Sequence, residues 1–165
     1  MDRLYTPWRY AYIEGASGEK SGSGNACVFC SLRDRPAADD EQTFVLHRGR
    51  YNFVVLNIYP YISGHLMVVP FEHAAELSSI SKEVSDELMD LAKRAQAALR
   101  EVYHPHGFNL GMNLGQAAGA GVADHLHLHV MPRWTGDSNF MTTVGETRVI
   151  PEDLPTTYNK LRGRI

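Results

Sequence analysis

The spacing of apolar residues predicts three short strands followed by one long helix. Apolar runs at 43–47, 53–56 and 65–70 are separated by short turns that contain glycine. Over 81–103, apolar side chains recur every three or four residues, and His104-Pro105 follows as a stop signal. This part of the chain is therefore expected to form three β-strands and then one amphipathic helix.

Two later segments alternate in the way that strands with one buried face do. Apolar residues alternate with small polar ones over 108–114 and with histidines over 125–130. A loop of small residues, 115–121, separates the two segments, and the apolar spacing over 151–161 indicates a short final helix. Strands, a long helix and further strands predict an α+β domain with a mostly antiparallel sheet.

Composition limits the number of domains and the kinds of partner. The 165 residues, 44% of them hydrophobic, suit one domain. The segment 14–25 is rich in Gly and Ser, so we expect 1–26 to be an N-terminal arm with a flexible loop and 27–165 to be the single domain. Sixteen Lys and Arg against nineteen Asp and Glu argue against a nucleic-acid partner. No apolar stretch is long enough for a signal peptide or a membrane span, so we expect a cytoplasmic protein without a membrane partner.

Three histidines lie on one face of the predicted strand 125–130. His125, His127 and His129 would follow one another at intervals of about 7 Å. Packing rarely uses three imidazoles on one face, although a solvated polar face is one alternative. A metal site built from the three histidines is another. Asp124, however, is out of phase with that face and could not supply the carboxylate that a hydrolytic metal centre usually adds.

The interpretation we favour makes one of these histidines a nucleophile. Neutral imidazole is the strongest uncharged nucleophile near pH 7, and its bond to phosphorus is labile. Such a nucleophile needs a fixed tautomer and neighbouring hydrogen-bond donors. The other histidines could fix the tautomer, and the backbone amides of Gly119, Ala120 and Gly121 could form an anion-binding nest. The sequence thus predicts covalent chemistry on a phosphate-containing substrate.

The histidine segment resembles a known family signature. His125-Leu126-His127-Leu128-His129-Val130-Met131 is similar to the H-φ-H-φ-H-φ-φ motif of the histidine-triad (HIT) family. Upstream, Asn57, Pro60 and the segment 63–70 resemble the family's ribose-binding strand and its N-x-x-P-x-x-x-G-H segment. The resemblance covers about 27–134. It implies a HIT-like fold and a nucleotidyl transferase or hydrolase that works as a homodimer without an organic cofactor.

The resemblance also implies roles for four histidines. His127 would be the nucleophile, and His129 would contact the phosphate and the departing oxygen. His125 and His65 would fix the orientation of the other rings.

Further residues would contact the nucleotide. By resemblance, Asn57 would meet the ribose hydroxyls, and Asn113 would contact the phosphate or the leaving group. Gly121 stands where relatives often have a serine or glutamine that donates to a phosphate, so only its backbone amide can donate. We expect Gln116 to compensate for the missing side chain.

Two segments are similar to one branch of the family. The segments 133–140 and 4–9 resemble the bacterial diadenosine-tetraphosphate phosphorylases, which are close to the dinucleoside-polyphosphate hydrolases. We therefore favour phosphate over water as the acceptor. Trp134 would pack against a second base of the substrate or against a neighbouring subunit. The alternative is that it is an ordinary aromatic residue at the rim of the site.

The two cysteines form a C-x-x-C pair. Cys27 and Cys30 are compatible with zinc, with thiol redox chemistry or with two buried thiols. Several relatives hold structural zinc through such a pair and two histidines, and the resemblance implies the ligand set Cys27, Cys30, His73 and His125.

Two other functions stay open at this point. The protein could be a nucleotide-sensing module without turnover, although a complete triad argues against this. It could also be a metal-dependent hydrolase that uses the triad histidines as ligands.

Overall fold

A five-stranded antiparallel sheet forms the centre of the molecule. The computed structural model describes residues 27–147 and 149–165, so the expected arm and loop at 1–26 lie outside the described residues. The strand order is β1-β2-β3-β5-β4, and every pairing is antiparallel. The strands are β1 (Val45–Arg48), β2 (Asn52–Leu56), β3 (Leu66–Pro70), β4 (Gly107–Gly111) and β5 (Leu128–Arg133).

One long helix and several short ones surround this sheet. The helices are α1 (Val28–Arg33), α2 (Asp40–Thr43), α3 (Lys82–Tyr103), α4 (Phe140–Thr143) and α5 (Leu154–Leu161). At the start of α3, the Ser81 hydroxyl accepts a hydrogen bond from the Val84 amide. Helix α3 ends where His104 adopts the left-handed conformation, with φ 47°. The predicted α+β fold, with its long helix and its C-terminal helix, is confirmed. No described helix is long and apolar enough to cross a membrane.

The two faces of the sheet carry two separate apolar clusters. Helices α3 and α5 pack on one face, where Leu128 and Val130 of β5 enter the larger cluster. The smaller cluster, which includes Phe29 of α1, lies on the opposite face. Because side chains alternate along an extended segment, His127 and His129 point to the face with Phe29. The histidines therefore lie on the face of the sheet that α3 does not cover.

A glycine turn places His65 immediately before β3. Gly64 has φ +76°, and a Cβ atom there would lie 2.9 Å from Cδ2 of Leu99 in α3. Only glycine fits this combination of conformation and close approach. The turn can therefore pack against α3 while the next residue, His65, faces the other side of the sheet.

The segment 108–114 differs from its prediction. It was expected to bury one apolar face, but Leu110 and Leu114 on that face are 43% and 38% exposed. β4 is an edge strand, and only Phe108 and Met112 from this segment pack against the core. The alternation identified the strand but not the extent of its burial, because burial depends on what covers the sheet edge.

The histidine strand also starts later than its pattern predicts. β5 begins at Leu128, so His125 and His127 precede the ladder. The amide of Leu126 donates to the carbonyl oxygen of Ala74 at 2.7 Å, so this extended segment is tied to the chain that follows β3. Alternation continues through it, because Leu126 still enters the larger cluster.

Candidate active site

The tautomer of His127 is fixed by one hydrogen bond. Its Nδ1 lies 2.8 Å from the carbonyl oxygen of His125, and a carbonyl oxygen can only accept. Nδ1 therefore carries a proton, and in the neutral ring Nε2 keeps its lone pair. The residue is 6% exposed, and the nitrogen that is not engaged by this hydrogen bond is Nε2. This is the arrangement that a nucleophilic imidazole requires.

A second chain of hydrogen bonds fixes His129. The amide of Tyr61 donates to Nδ1 of His65 at 3.2 Å, so the proton of His65 is on Nε2. That atom donates to Nδ1 of His129 at 2.9 Å, which leaves the proton of His129 on its own Nε2. The rings of His127 and His129 are 4.9 Å apart and nearly perpendicular. The site thus presents an acceptor nitrogen beside a donor N–H.

The Cys/His group predicted to bind zinc is brought together by the fold. Nε2 of His125 donates to the Pro70 carbonyl at 2.9 Å, so its Nδ1 is unprotonated and faces Cys27 Sγ at 3.2 Å. His73 Nδ1 lies 3.3 Å from Cys30 Sγ and 3.3 Å from His125 Nδ1. The four ligand atoms lie within 4.8 Å of one another.

These distances fit a tetrahedral metal site. Ligands bound to zinc at about 2.0–2.3 Å are about 3.3–3.8 Å from one another. The separations of 3.2, 3.3 and 3.7 Å among the thiol and imidazole atoms are close to that range. Cys27, Cys30, His73 and His125 are therefore placed so that they could hold one zinc ion. His127 and His129 do not belong to this group.

The small-residue loop offers fewer free amides than the sequence predicts. Gly119 adopts φ +82°, and its amide donates to the Gln116 carbonyl at 2.9 Å. Asn113 donates from Nδ2 to the Gly119 carbonyl at 3.4 Å, so its side chain helps to close the loop. The amide of Gly119 is therefore already engaged, and the nest of Gly119, Ala120 and Gly121 stays a prediction. Among the described residues, the amides of Ala120 and Gly121 make no backbone hydrogen bond.

Asn57 is placed next to the histidines, with both side-chain atoms engaged. Its Oδ1 accepts from the Tyr59 amide at 2.9 Å, and its Nδ2 lies 3.3 Å from Nδ1 of His65. Asn57 is 9% exposed. In this structure it holds the turn after β2 in place.

Comparisons with known proteins agree with this site. The family model for the HIT domain matches residues 39–136. The chain belongs to the HIT family. It is 42% identical over 161 residues to a Mycobacterium tuberculosis protein named AP-4-A phosphorylase, across 98% of this chain and 83% of that protein. The resemblance inferred from the histidine motif is therefore confirmed.

Two further relatives widen the comparison. The chain is 30% identical over 140 residues to an adenosine 5'-monophosphoramidase of Schizosaccharomyces pombe, across 85% of this chain and 98% of that one. A zinc-bound histidine triad family protein from Mycobacterium smegmatis superposes with a TM-score of 0.67 at 30% identity, covering 84% of this chain and 92% of that one.

Trp134 is remote from the HIT histidines of its own chain. It follows β5, so it lies about 20 Å along the strand from His127. Its ring packs edge-on against Tyr103 of α3, with 6.5 Å between the ring centroids. Within one chain, Trp134 therefore does not line the site.

Sequence reasoning missed two aromatic residues that contact the histidines. The ring of Phe29 lies 5.1 Å from His127 and 5.3 Å from His125. The ring of Tyr61 lies 4.8 Å from His65. Their positions between the two cysteines and within the turn before Gly64 were visible, but nothing in the sequence showed which side chains they would meet.

Burial of the two supporting histidines predicts a loss of stability in acid. Burial, with the His129 and His127 rings adding to it, lowers the pKa of His65 to about 3. Burial and the His127 ring lower the pKa of His129 to about 4. In the unfolded chain both groups would titrate near pH 6.5, so unfolding takes up protons below that pH. The free energy of unfolding should therefore fall as the pH drops from about 6.5 to about 3.

Urea titrations across this pH range measure the effect. The variant His129→Gln should lose stability less steeply than wild type, whereas His104→Asn, at an exposed helix end, should keep the wild-type slope. Equal slopes in all three proteins would show that His129 does not contribute to the acid sensitivity.

Proposed function

We propose that this protein cleaves dinucleoside polyphosphates of the diadenosine-tetraphosphate type at an α-phosphate, through a nucleotidyl-His127 intermediate that phosphate resolves. The observation that carries the proposal is the hydrogen bond that places the Nδ1–H of His127 on the His125 carbonyl, so that Nε2 is the nucleophilic atom of the neutral ring. The relative named AP-4-A phosphorylase, which matches 98% of this chain, supports the substrate class.

The first step forms a bond between nitrogen and phosphorus. Nε2 of His127 attacks the α-phosphorus, and the bond from this phosphorus to the bridging oxygen breaks. The leaving nucleoside polyphosphate keeps the electron pair of that bond. His129 is neutral because burial lowers its pKa to about 4, so its Nε2–H donates to a phosphoryl oxygen or to the departing oxygen.

The second step transfers the nucleotidyl group from His127 to a new acceptor. An oxygen of inorganic phosphate attacks the same phosphorus, the bond to Nε2 breaks, and its electrons return to the imidazole. The products are a nucleoside diphosphate and a free His127. Because the Nδ1 proton stays on the His125 carbonyl throughout, the ring returns in the tautomer that starts the next cycle.

The remaining polar groups would bind the substrate. We assign Asn57 to the ribose and Asn113 to the phosphate chain or the leaving group. The amides of Ala120 and Gly121, with the exposed side chain of Gln116, would hold the acceptor phosphate. With only backbone donors at Gly121, phosphate should bind weakly.

Product analysis with and without phosphate tests the proposal. Diadenosine tetraphosphate should give ADP and ATP, and only when phosphate is present, because the intermediate otherwise has no acceptor. The measurement is chromatography of the nucleotides at several phosphate concentrations. AMP and ATP formed at a rate that millimolar phosphate does not change would support a hydrolase instead.

The two other functions are less well supported by the geometry. A sensing module would not need His127 with a free Nε2 beside the donor His129. A metal-dependent hydrolase would need the three triad histidines to converge on one ion. Nδ1 of His125 instead faces the cysteines, and Nδ1 of His129 accepts from His65.

We further propose that Cys27, Cys30, His73 and His125 bind one structural zinc ion. The distances among their ligand atoms and the zinc-bound relative at 30% identity support this. Zinc would act as a cross-link between α1, the segment after β3 and the histidine segment. It would supply no step of the phosphoryl transfer.

The protein is also proposed to be a cytoplasmic homodimer whose catalytic domain is 27–165. The edge position of β4 and the exposed Leu110 and Leu114 support a second subunit at that edge. Trp134 could then contact the partner or its substrate. A C-x-x-C pair that binds metal is typical of a reducing compartment.

A further inference from the structure

The hydrogen bond of His127 does not by itself fix the direction of Nε2. In the described part of the chain, the His127 side chain makes one hydrogen bond, from Nδ1 to the His125 carbonyl. The ring can still tilt about that contact. Its angle must therefore be set by the side chains that pack against its faces and edges.

Two aromatic rings from the described residues contact His127. His129 lies 4.9 Å away at 77°, and its own position is set by the hydrogen bond from His65. Phe29 lies 5.1 Å away at 45°. His129 already has a role, because it would donate a hydrogen bond to the substrate. Phe29 has no such role, so its contact with His127 is the one that needs an explanation.

Phe29 is itself held in place from two directions. It is the buried residue of α1, with 4% of its surface exposed, and it belongs to the apolar cluster under the sheet. It also lies between Cys27 and Cys30 in the sequence, and its ring meets His125 edge-on at 5.3 Å. The cysteine pair and His125 therefore anchor the segment that carries the ring.

We propose that Phe29 is a positioning residue that holds the His127 imidazole at the angle from which Nε2 attacks phosphorus. The inference rests on the proposed function of His127 as the nucleophile. Its physical basis is that a small misplacement of a reacting atom can cost about 100-fold in rate while binding is kept. A residue that acts in this way affects kcat and leaves KM nearly unchanged.

The test replaces the ring while keeping an apolar side chain. Phe29→Leu and Phe29→Met should each lower kcat by about 10- to 100-fold, with KM within about threefold of wild type. Met is flexible enough to fill most of the space, so a loss common to both variants traces to the ring and not to a cavity. Zinc content should be unchanged, because Phe29 contributes no ligand atom.

Phe53 provides the matched control. It belongs to the same apolar cluster, is fully buried, and stacks on Phe71 at 5.4 Å, not on a histidine. Phe53→Leu and Phe53→Met should lower the melting temperature at least as much as the Phe29 variants, with kcat within about twofold of wild type.

A second readout needs no substrate. In the NMR spectrum of protein labelled at histidine, the ring protons of His127 should shift in Phe29→Leu, because an adjacent aromatic ring has been removed, and should stay in place in Phe53→Leu. Shifts in an enzyme that fails to cleave dinucleoside polyphosphates would support the positioning role and reject the proposed function.

Three results would overturn the proposal. The first is an unchanged kcat in both Phe29 variants, or a loss equal to that of the Phe53 variants. The second is a rise in KM alone, which would make Phe29 a substrate contact. The third is a loss of zinc that parallels the loss of kcat, which would make its role purely structural.

Discussion

Replacing His127 with Asn should lower turnover by about 10⁴-fold or more while leaving substrate affinity within about tenfold. Asn keeps a polar side chain in the 6% exposed position but has no nucleophilic nitrogen. The expected split between turnover and affinity follows from the proposed covalent step, because His127 would act on phosphorus only after the substrate is bound. Steady-state kinetics and a separate binding measurement on the same protein check it.

The matched control makes the same chemical change at an exposed site. His104→Asn, at the end of α3, should keep wild-type turnover. Asn also tolerates the left-handed conformation that His104 adopts there. Near-normal turnover in His127→Asn would show that another group is the nucleophile.

Removing a thiol of the Cys/His group should release the metal and lower the melting temperature. Purified wild-type protein should carry about one zinc ion per chain, and Cys27→Ser should carry far less. The expected loss in melting temperature is on the order of 10 °C, since binding of a structural metal contributes directly to folding. Metal analysis and thermal unfolding of both proteins measure the two effects.

A neighbouring hydroxyl provides the control for this variant. Ser31→Ala removes, at an exposed position of the same helix, a hydroxyl that donates to the Cys27 carbonyl oxygen at 3.1 Å and not to a ligand sulfur, so zinc content and melting temperature should stay near wild type. Metal-free wild-type protein with full stability would show that Cys27 and Cys30 are bare thiols.

The histidine face was predictable because alternation needs only the sequence. Leu126 and Leu128 identify the side that enters the larger apolar cluster, so His127 and His129 had to share the other one. The tautomers were not predictable. They depend on hydrogen bonds to the carbonyl of His125 and from the amide of Tyr61. Only the folded chain shows which ring nitrogen each of these backbone groups meets.

Long-range contacts explain what sequence reasoning missed. The ring of Phe29 reaches His127 across nearly a hundred residues, and no periodic pattern encodes that contact. Leu110 alternates like a buried residue but is exposed, because nothing in the described chain covers the edge at β4. The amide of Gly119 was expected to face a phosphate, yet it closes a local turn with Gln116.

Direct capture of the intermediate tests the central claim about His127. Wild-type protein is mixed in phosphate-free buffer with diadenosine tetraphosphate labelled in the α-phosphates, then quenched and digested. We expect one labelled nucleotidyl group per active chain, attached to His127 by a bond that acid breaks and alkali leaves intact. The group should be discharged as ADP when phosphate is added before the quench. Substrate cleavage by a protein that stays unlabelled, or label on any residue other than His127, would contradict it.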